Sequence, residues 1–203
     1  LATALRRAHW PVEVWHHDTD LAGAAQAVDL LVLATPDAAI EAVAAAVDPD
    51  ERTVVAHLSG SLGLTPLAGH PRRGVLHPPV ALAEDGDPLV EHVVDELHGR
   101  AVRIPEDGWV RYHATAVVAA NHLVALMGQV ERLAAGVGAP LAAYLDLARG
   151  SLDDVAAIGP AAALTGPVRR GDTATVARHL AAIPEDERNA YRALSEEAAK
   201  LCR

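Results

Sequence analysis

Short apolar runs alternate with helical patterns in the first half of the chain. Three runs, Leu30–Ala34, Thr53–Leu58 and Gly74–Leu76, have the length of buried strands, and each ends in a polar or proline-containing turn. Residues 38–47 after the first run have helical spacing, and Val12–Trp15 alternates like a strand. Strands separated by helices predict a parallel sheet with helices on its faces.

The strand signal ends near Trp109. Residues 112–135 have the pattern of a single helix of 24 residues, and its first half is so apolar that we expect it to be buried, between subunits. Further helices are predicted over 172–183 and 185–201. The pattern therefore predicts an α/β domain over residues 1–105 and an all-α domain over residues 106–203.

The composition and net charge of the chain make some classes of binding partner unfavourable. The chain has 17 Lys and Arg against 27 Asp and Glu, so its net charge of −10 repels nucleic acid and anionic membrane surfaces. Its single cysteine, Cys202, excludes an intrachain disulfide. No apolar run approaches the roughly 20 residues of a membrane-spanning helix. We expect a soluble, cytoplasmic protein.

Polar residues follow the three predicted strands at Thr35-Pro36-Asp37, Ser59-Gly60-Ser61 and His77-Pro78. Ligands bind outside the carboxyl ends of the strands in open parallel sheets, so this edge is the expected site. Ordinary turn chemistry is the alternative for each turn, although His77-Pro78-Pro79 exceeds what a turn needs. Asp18 follows Val12–Trp15, at the place where a dinucleotide-binding sheet carries the acidic residue that binds the ribose. The alternative is that Asp18 is a plain loop residue. The residues predicted to contact a cofactor are Asp18, Thr35, Pro36, Ser59 and Gly60.

The candidate catalytic residues are His77, His113 and Asn121. Imidazoles titrate near neutral pH and suit proton transfer. Asn121 stands in an apolar helical stretch, where an unpaired buried amide costs about 1–3 kcal/mol, so it needs either an inter-helix partner or a substrate. The 11 histidines do not indicate a metal site, because the chain has no His-Glu-x-x-His motif and its His pairs lack ligand partners at suitable spacing.

The segment Ala161–Thr175 contains more polar and charged groups than a turn requires. It combines a forced turn with two arginines in an acidic chain and then a helix N-terminus that could receive an anion. We expect this turn to line one cleft between the domains, together with His77, His113 and Asn121. The residues predicted for this substrate cleft are Thr165, Gly166, Pro167, Arg170 and Asp172.

Six stretches in order along the chain carry a family resemblance: VDLLVLATPDAAIEAV, VVAHLSGSLGLTPLA, GVLHPPVA, YHATAVVAANHLVAL, ALTGPVRRGDTATVARHLAAI and YRALSEEAAKL. With them the chain resembles Rossmann-like NAD(P)-dependent oxidoreductases with a C-terminal helical domain, in the 6-phosphogluconate dehydrogenase-like superfamily. The resemblance implies an N-terminal domain that binds NAD or NADP, a helical domain that pairs in a homodimer, and a substrate cleft between them.

The chain departs from this family in two places. The glycine-rich strand and loop at the family's N-terminus is missing, and we expect further residues before Leu1. Between Ala83 and Glu84 the family has another loop and strand; either this chain has lost them or two segments are joined there, and we expect the second.

The sequence thus predicts an oxidoreductase that transfers a hydride between NAD or NADP and a small carbonyl, hydroxyl or imine substrate. The first alternative is a non-catalytic nucleotide-binding or regulatory protein that keeps the fold. The second is a structural dimerisation protein in which the polar motifs are only turns.

Overall fold

The chain consists of two compact units. A computed structural model describes residues 1–16, 20–77, 81–99 and 101–202; the first unit spans Leu1–Val118 and the second Ala119–Arg203. This division lies later than the predicted boundary between residues 105 and 106. The reason is local packing: Trp109 and Tyr112 lie in one apolar cluster with Leu64 and Val75 of the first unit.

A five-stranded sheet forms the centre of the first unit. Its strands follow the order of the chain: β1 (Leu30–Leu33), β2 (Val54–His57), β3 (Arg72–His77), β4 (Ala81–Ala83) and β5 (Val102–Ile104). The strands β1, β2 and β3 are parallel neighbours, which confirms the predicted parallel arrangement. The sheet is mixed beyond them, because β3 pairs antiparallel with β4 and β4 pairs parallel with β5.

Strand β2 is buried along its whole length and divides the core into two layers. Val54 and Ala56 pack with side chains of α1 (Ala2–Arg7) and α3 (Pro88–Glu96). Val55, which points to the opposite face, packs with Ile40 and Ala44 of α2 (Asp37–Ala45). Helices therefore cover both faces of the sheet, and the predicted α/β class is confirmed.

The predicted strand at Val12–Trp15 is wrong. A strand is stabilised by hydrogen bonds to a neighbouring strand, and this segment pairs with none in the described residues. Val12 packs partly against the core, whereas Val14 and Trp15 are 54% and 47% exposed.

The helix predicted over residues 112–135 has three parts. They are α4 (Trp109–Val117), a π-helical turn (Val118–His122) and α5 (Leu123–Ala135). The described remainder of the second unit is helical, as predicted. Its helices are α6 (Leu141–Ile158), α7 (Pro160–Ala163), α8 (Gly166–Arg169), α9 (Thr173–Ala182) and α10 (Arg188–Lys200).

The second unit leaves most of its apolar side chains uncovered. Among its described residues only Gln129 and Ala134 are buried. In the stretch predicted as one helix over residues 112–135, residues 118–122 are all exposed, Val118 to 57%, so the burial expected for its first half does not occur within a single chain. None of the helices in the described ranges is long and apolar enough to cross a membrane.

Candidate functional site

Two turns at the carboxyl edge of the sheet are tied together through Asp37. This residue follows β1 and is the first residue of α2, and its Oδ2 accepts hydrogen bonds from Ser59 Oγ at 2.8 Å and Ser61 Oγ at 2.6 Å. The hydrogen bond from Ser61 lowers the pKa of Asp37, with that from Ser59 and the nearby His113 acting in the same direction. Asp37 is therefore a carboxylate, which also favours the start of a helix.

The loop after β2 is held in place by its own side chains. Ser59 Oγ accepts the backbone N–H groups of Ser61 and Leu62 at 3.1 and 3.2 Å. The imidazole of His57 is fully buried; its Nε2 bonds the Gly63 carbonyl at 2.9 Å and its Nδ1 accepts the Ser59 N–H at 3.2 Å. These bonds give the loop one defined conformation, with Gly60 at its centre.

Two imidazoles lie against Gly60. A Cβ at this position would lie 2.6 Å from His113 Nδ1 and 2.7 Å from His77 Nε2, so only glycine allows both rings to approach this closely. The ring centroids of His77 and His113 are 6.0 Å apart. His113 Nδ1 is buried and has no hydrogen-bond partner among the described residues. The site thus pairs two histidines from different elements, β3 and α4.

Tyr112 binds the other side of the His77 ring. Its hydroxyl lies 2.9 Å from His77 Nδ1, with the rings edge-on at 87°. Burial raises the pKa of Tyr112, so the phenol stays protonated. Burial also lowers the pKa of His77, and the neighbouring His113 lowers it further, so this imidazole is neutral near pH 7.

Glu106 fixes the end of the loop after β2. Its carboxylate accepts the backbone N–H of Leu64 at 3.0 Å and the hydroxyl of Thr65 at 2.8 Å. Glu106 belongs to the short turn that leads directly into α4, the helix that carries Tyr112 and His113. The contact therefore connects the loop after β2 to the start of that helix.

The structure brings together four of the predicted site residues, His77, His113, Ser59 and Gly60. Thr35 also lies at the carboxyl end of β1, where its Oγ1 is buried without a partner in the described ranges. Pro36 precedes the first residue of α2. Asp18 lies outside the described residues.

The other predicted residues belong to the second unit. Asn121 lies in the π-helical turn and its side chain is exposed, so the single chain does not bury this amide. Asp172 caps α9 by accepting the Thr175 N–H at 3.0 Å and the Thr175 hydroxyl at 2.7 Å, so its own carboxylate serves the helix N-terminus. The remaining residues of this predicted set lie at or beside the short helix α8: Thr165, Gly166, Pro167 and Arg170.

The predicted set lacks His57 and Glu106, which hold the loop after β2, and it also lacks three residues of the site itself: Asp37, Ser61 and Tyr112. Each adjoins a predicted residue in sequence, since Asp37 follows Pro36, Ser61 follows Gly60 and Tyr112 precedes His113. Their position in the same polar turns, or beside a candidate histidine, is the signal that could have found them. The described residues contain no group of three or more His, Cys, Asp or Glu placed to hold a metal ion.

Comparison with known proteins gives a family and several similar structures, two of which are described here. The model of a family described as "Domain of unknown function (DUF2520)" matches residues 80–198. Protein TM1727 from Thermotoga maritima is 24% identical with a TM-score of 0.73, over 85% of this chain and 77% of that one. The "putative NADP oxidoreductase BF3122" from Bacteroides fragilis is 18% identical with a TM-score of 0.71, over 90% and 79% of the two chains. No curated protein matches the chain. The structural similarities support the Rossmann-like α/β fold.

Proposed function

The chain belongs to the DUF2520 family, and we propose that it is an oxidoreductase that transfers a hydride between NAD or NADP and a small carbonyl, hydroxyl or imine substrate. The fold supports the proposal, since Rossmann-like sheets bind dinucleotides at the carboxyl ends of their strands. The name of the similar Bacteroides fragilis protein points to the same class of cofactor.

One observation carries the proposal: His77 and His113 meet at the carboxyl edge of three parallel strands, against Gly60. Neither imidazole belongs to the apolar clusters of the core. A titratable group with a shifted pKa at a ligand-binding edge, as His77 is here, is typical of catalytic sites. We assign to these two histidines the tasks of holding and exchanging a proton at the reacting oxygen or nitrogen.

The residues at this edge fit the nicotinamide end of such a cofactor, which supplies the hydride when it is bound. Thr35 Oγ1 is a buried hydroxyl without a partner among the described residues, and a ribose hydroxyl or a carboxamide would satisfy it. Thr35, Pro36, Ser59 and Gly60 would hold this end, because they follow β1 and β2 at the carboxyl edge of the sheet. For Asp18 we keep the proposal of a ribose contact.

For the second unit we propose substrate contacts and dimerisation. Asn121 would orient the substrate through its exposed amide, and the turn from Thr165 to Asp172 would contribute further contacts. Because only two described residues of this unit are buried, its helices need another apolar surface, and a second copy of the chain is the simplest one. We therefore propose that the protein is a homodimer.

Turnover of the full-length protein with a panel of small aldehydes, ketones, alcohols and cyclic imines tests the proposal, with nicotinamide absorbance as the readout. We expect His77→Ala and Asn121→Ala to reduce kcat much more than cofactor affinity, since neither residue is assigned to the cofactor. Binding of the cofactor with no turnover of any substrate would favour the non-catalytic nucleotide-binding protein. Absence of binding would favour the structural dimerisation protein.

A further inference from the structure

Tyr112 is held rigidly beside His77. Its hydroxyl lies 2.9 Å from His77 Nδ1. Trp109 meets the Tyr112 ring edge-on at 84°, and both rings belong to an apolar cluster that also contains Val75. In the described part of the chain, the Tyr112 hydroxyl has no hydrogen-bond partner other than this nitrogen.

The protons that are available favour one direction for this hydrogen bond. A neutral imidazole has one donor nitrogen and one acceptor nitrogen, and a phenol has a single proton to donate. If Nδ1 carried the His77 proton, the phenol proton would have no acceptor among the described side chains. If Nδ1 is unprotonated, Tyr112 donates to it, and the phenol proton and the Nδ1 lone pair both have a partner. The second arrangement leaves the His77 proton on Nε2.

The Nε2 atom faces the loop after β2. It would lie 2.7 Å from a Cβ on Gly60, and it makes no hydrogen bond within the described ranges. An N–H group at this position is therefore free to donate to a bound molecule. Ser59 and Ser61, on either side of Gly60, already donate their hydroxyl protons to Asp37.

We infer that Tyr112 is a positioning residue that holds the proton of His77 on Nε2, so that this imidazole donates a hydrogen bond to the oxygen of a carbonyl substrate. The inference rests on the proposed function and narrows its substrate class. A carbonyl oxygen accepts an N–H hydrogen bond, whereas an imine accepts a hydride in its protonated form, whose nitrogen has no lone pair for this bond. In this role His77 retains its proton, and His113 is the residue that exchanges a proton with the substrate.

Long-range ¹H–¹⁵N NMR of the ligand-free protein with labelled histidine tests the role of Tyr112 without any turnover. His77→Gln identifies the His77 signals among those of the 11 histidines. In the wild-type protein above the His77 pKa, we expect a protonated Nε2 and an unprotonated Nδ1. Tyr112→Phe keeps the ring that packs on Trp109, and we expect it to shift His77 to a mixture of both tautomers.

The chain offers a matched control in its second unit. Tyr191 Oη lies 2.7 Å from His179 Nδ1, with the rings edge-on at 84°. Tyr191→Phe removes an equivalent phenol and should leave His77 unchanged. A wild-type His77 protonated on Nδ1, or a tautomer unchanged in Tyr112→Phe, would overturn the inference. The wild-type spectrum decides the first point even if the variant does not fold.

Turnover with matched carbonyl and cyclic imine compounds tests the substrate class. We expect reduction of the carbonyl compounds alone, and a loss of at least about tenfold in kcat for Tyr112→Phe, about 1.4 kcal/mol. Turnover of imines, alone or together with the carbonyl compounds, would overturn the substrate class. Turnover of neither would overturn the proposed function and the substrate class with it, while the NMR measurement would still decide the role of Tyr112.

Discussion

The imidazole of His77 lies directly against Gly60, so that a Cβ on this glycine would be 2.7 Å from Nε2. His113 approaches the same point from α4, at 2.6 Å. One small residue in the loop after β2 thus determines where two candidate catalytic rings can lie. Replacing Gly60 therefore tests the placement of these two rings while leaving the rest of the fold in place.

Gly60→Ala is expected to displace both rings. The clash is with the ends of two side chains, so rotation relieves it, and we expect a loss of about 1–3 kcal/mol in the free energy of unfolding. Turnover should fall on the order of 100-fold, because misplacement of a catalytic group by about 1 Å has that effect. Gly69→Ala is the control, since a Cβ there meets nothing within 4 Å. Wild-type turnover in Gly60→Ala would show that the rings do not work from this position.

The buried His57 should make the protein sensitive to acid. Burial lowers the pKa of His57, and protonation would also cost it the hydrogen bond that Nδ1 accepts from Ser59 N–H. The unfolded chain therefore binds this proton at a higher pH than the folded chain does. Stability is complete above the ordinary histidine pKa of about 6.5 and falls as the pH is lowered below it.

Thermal unfolding followed between about pH 7.5 and about pH 5 measures this effect. The wild-type Tm should fall on acidification, while His57→Gln, whatever its own Tm, should show a shallower slope. His16→Gln, at an exposed position, should keep the wild-type slope. Equal slopes in all three proteins would contradict the assignment of the acid sensitivity to His57.

The strands that carry the site could be predicted because their apolar runs are continuous. The runs ending at Ala34, Leu58 and Leu76 correspond to β1, β2 and β3, and His77, which follows the third run, lies at the carboxyl edge of the sheet as predicted. By contrast, β4 and β5 have only three residues each, too few to show a periodicity.

The contacts that build the site could not be predicted from local pattern. Asp37 meets Ser59 across 22 positions and His77 meets Tyr112 across 35, so no spacing rule connects them. Val12–Trp15 has strand composition, but a strand also needs a neighbour, and the sequence pattern does not supply that information. The π-helical turn at Val118–His122 likewise leaves no mark in the apolar spacing.

Thr35→Val should weaken ligand binding without lowering the stability of the protein. The variant removes a buried hydroxyl that has no partner in the described residues and keeps the shape of the side chain. An unpaired buried hydroxyl costs about 1–3 kcal/mol, so we expect Thr35→Val to be as stable as the wild type or more stable. A clear loss of stability in denaturant unfolding would show that the hydroxyl already has a partner within the protein.

Val124→Glu should weaken the proposed homodimer. Val124 is 72% exposed on α5, and a charge there would be buried if this helix meets a second copy. Light scattering should give a dimer for the wild type and more monomer for the variant. Val14→Glu, at a position 54% exposed in the first unit, should remain dimeric. A wild-type monomer at micromolar concentration would contradict the proposal.

Titration of NADPH and NADH with the full-length protein, followed by nicotinamide fluorescence, tests the central claim most directly. We expect saturable binding of at least one cofactor by the wild type and by His77→Ala. Thr35→Val should bind it about 3-fold to about 30-fold more weakly, the equivalent of about one lost hydrogen bond. Equal affinity of the wild type and Thr35→Val would contradict the placement of the cofactor at this edge of the sheet, and no binding of either cofactor would contradict the proposed function itself.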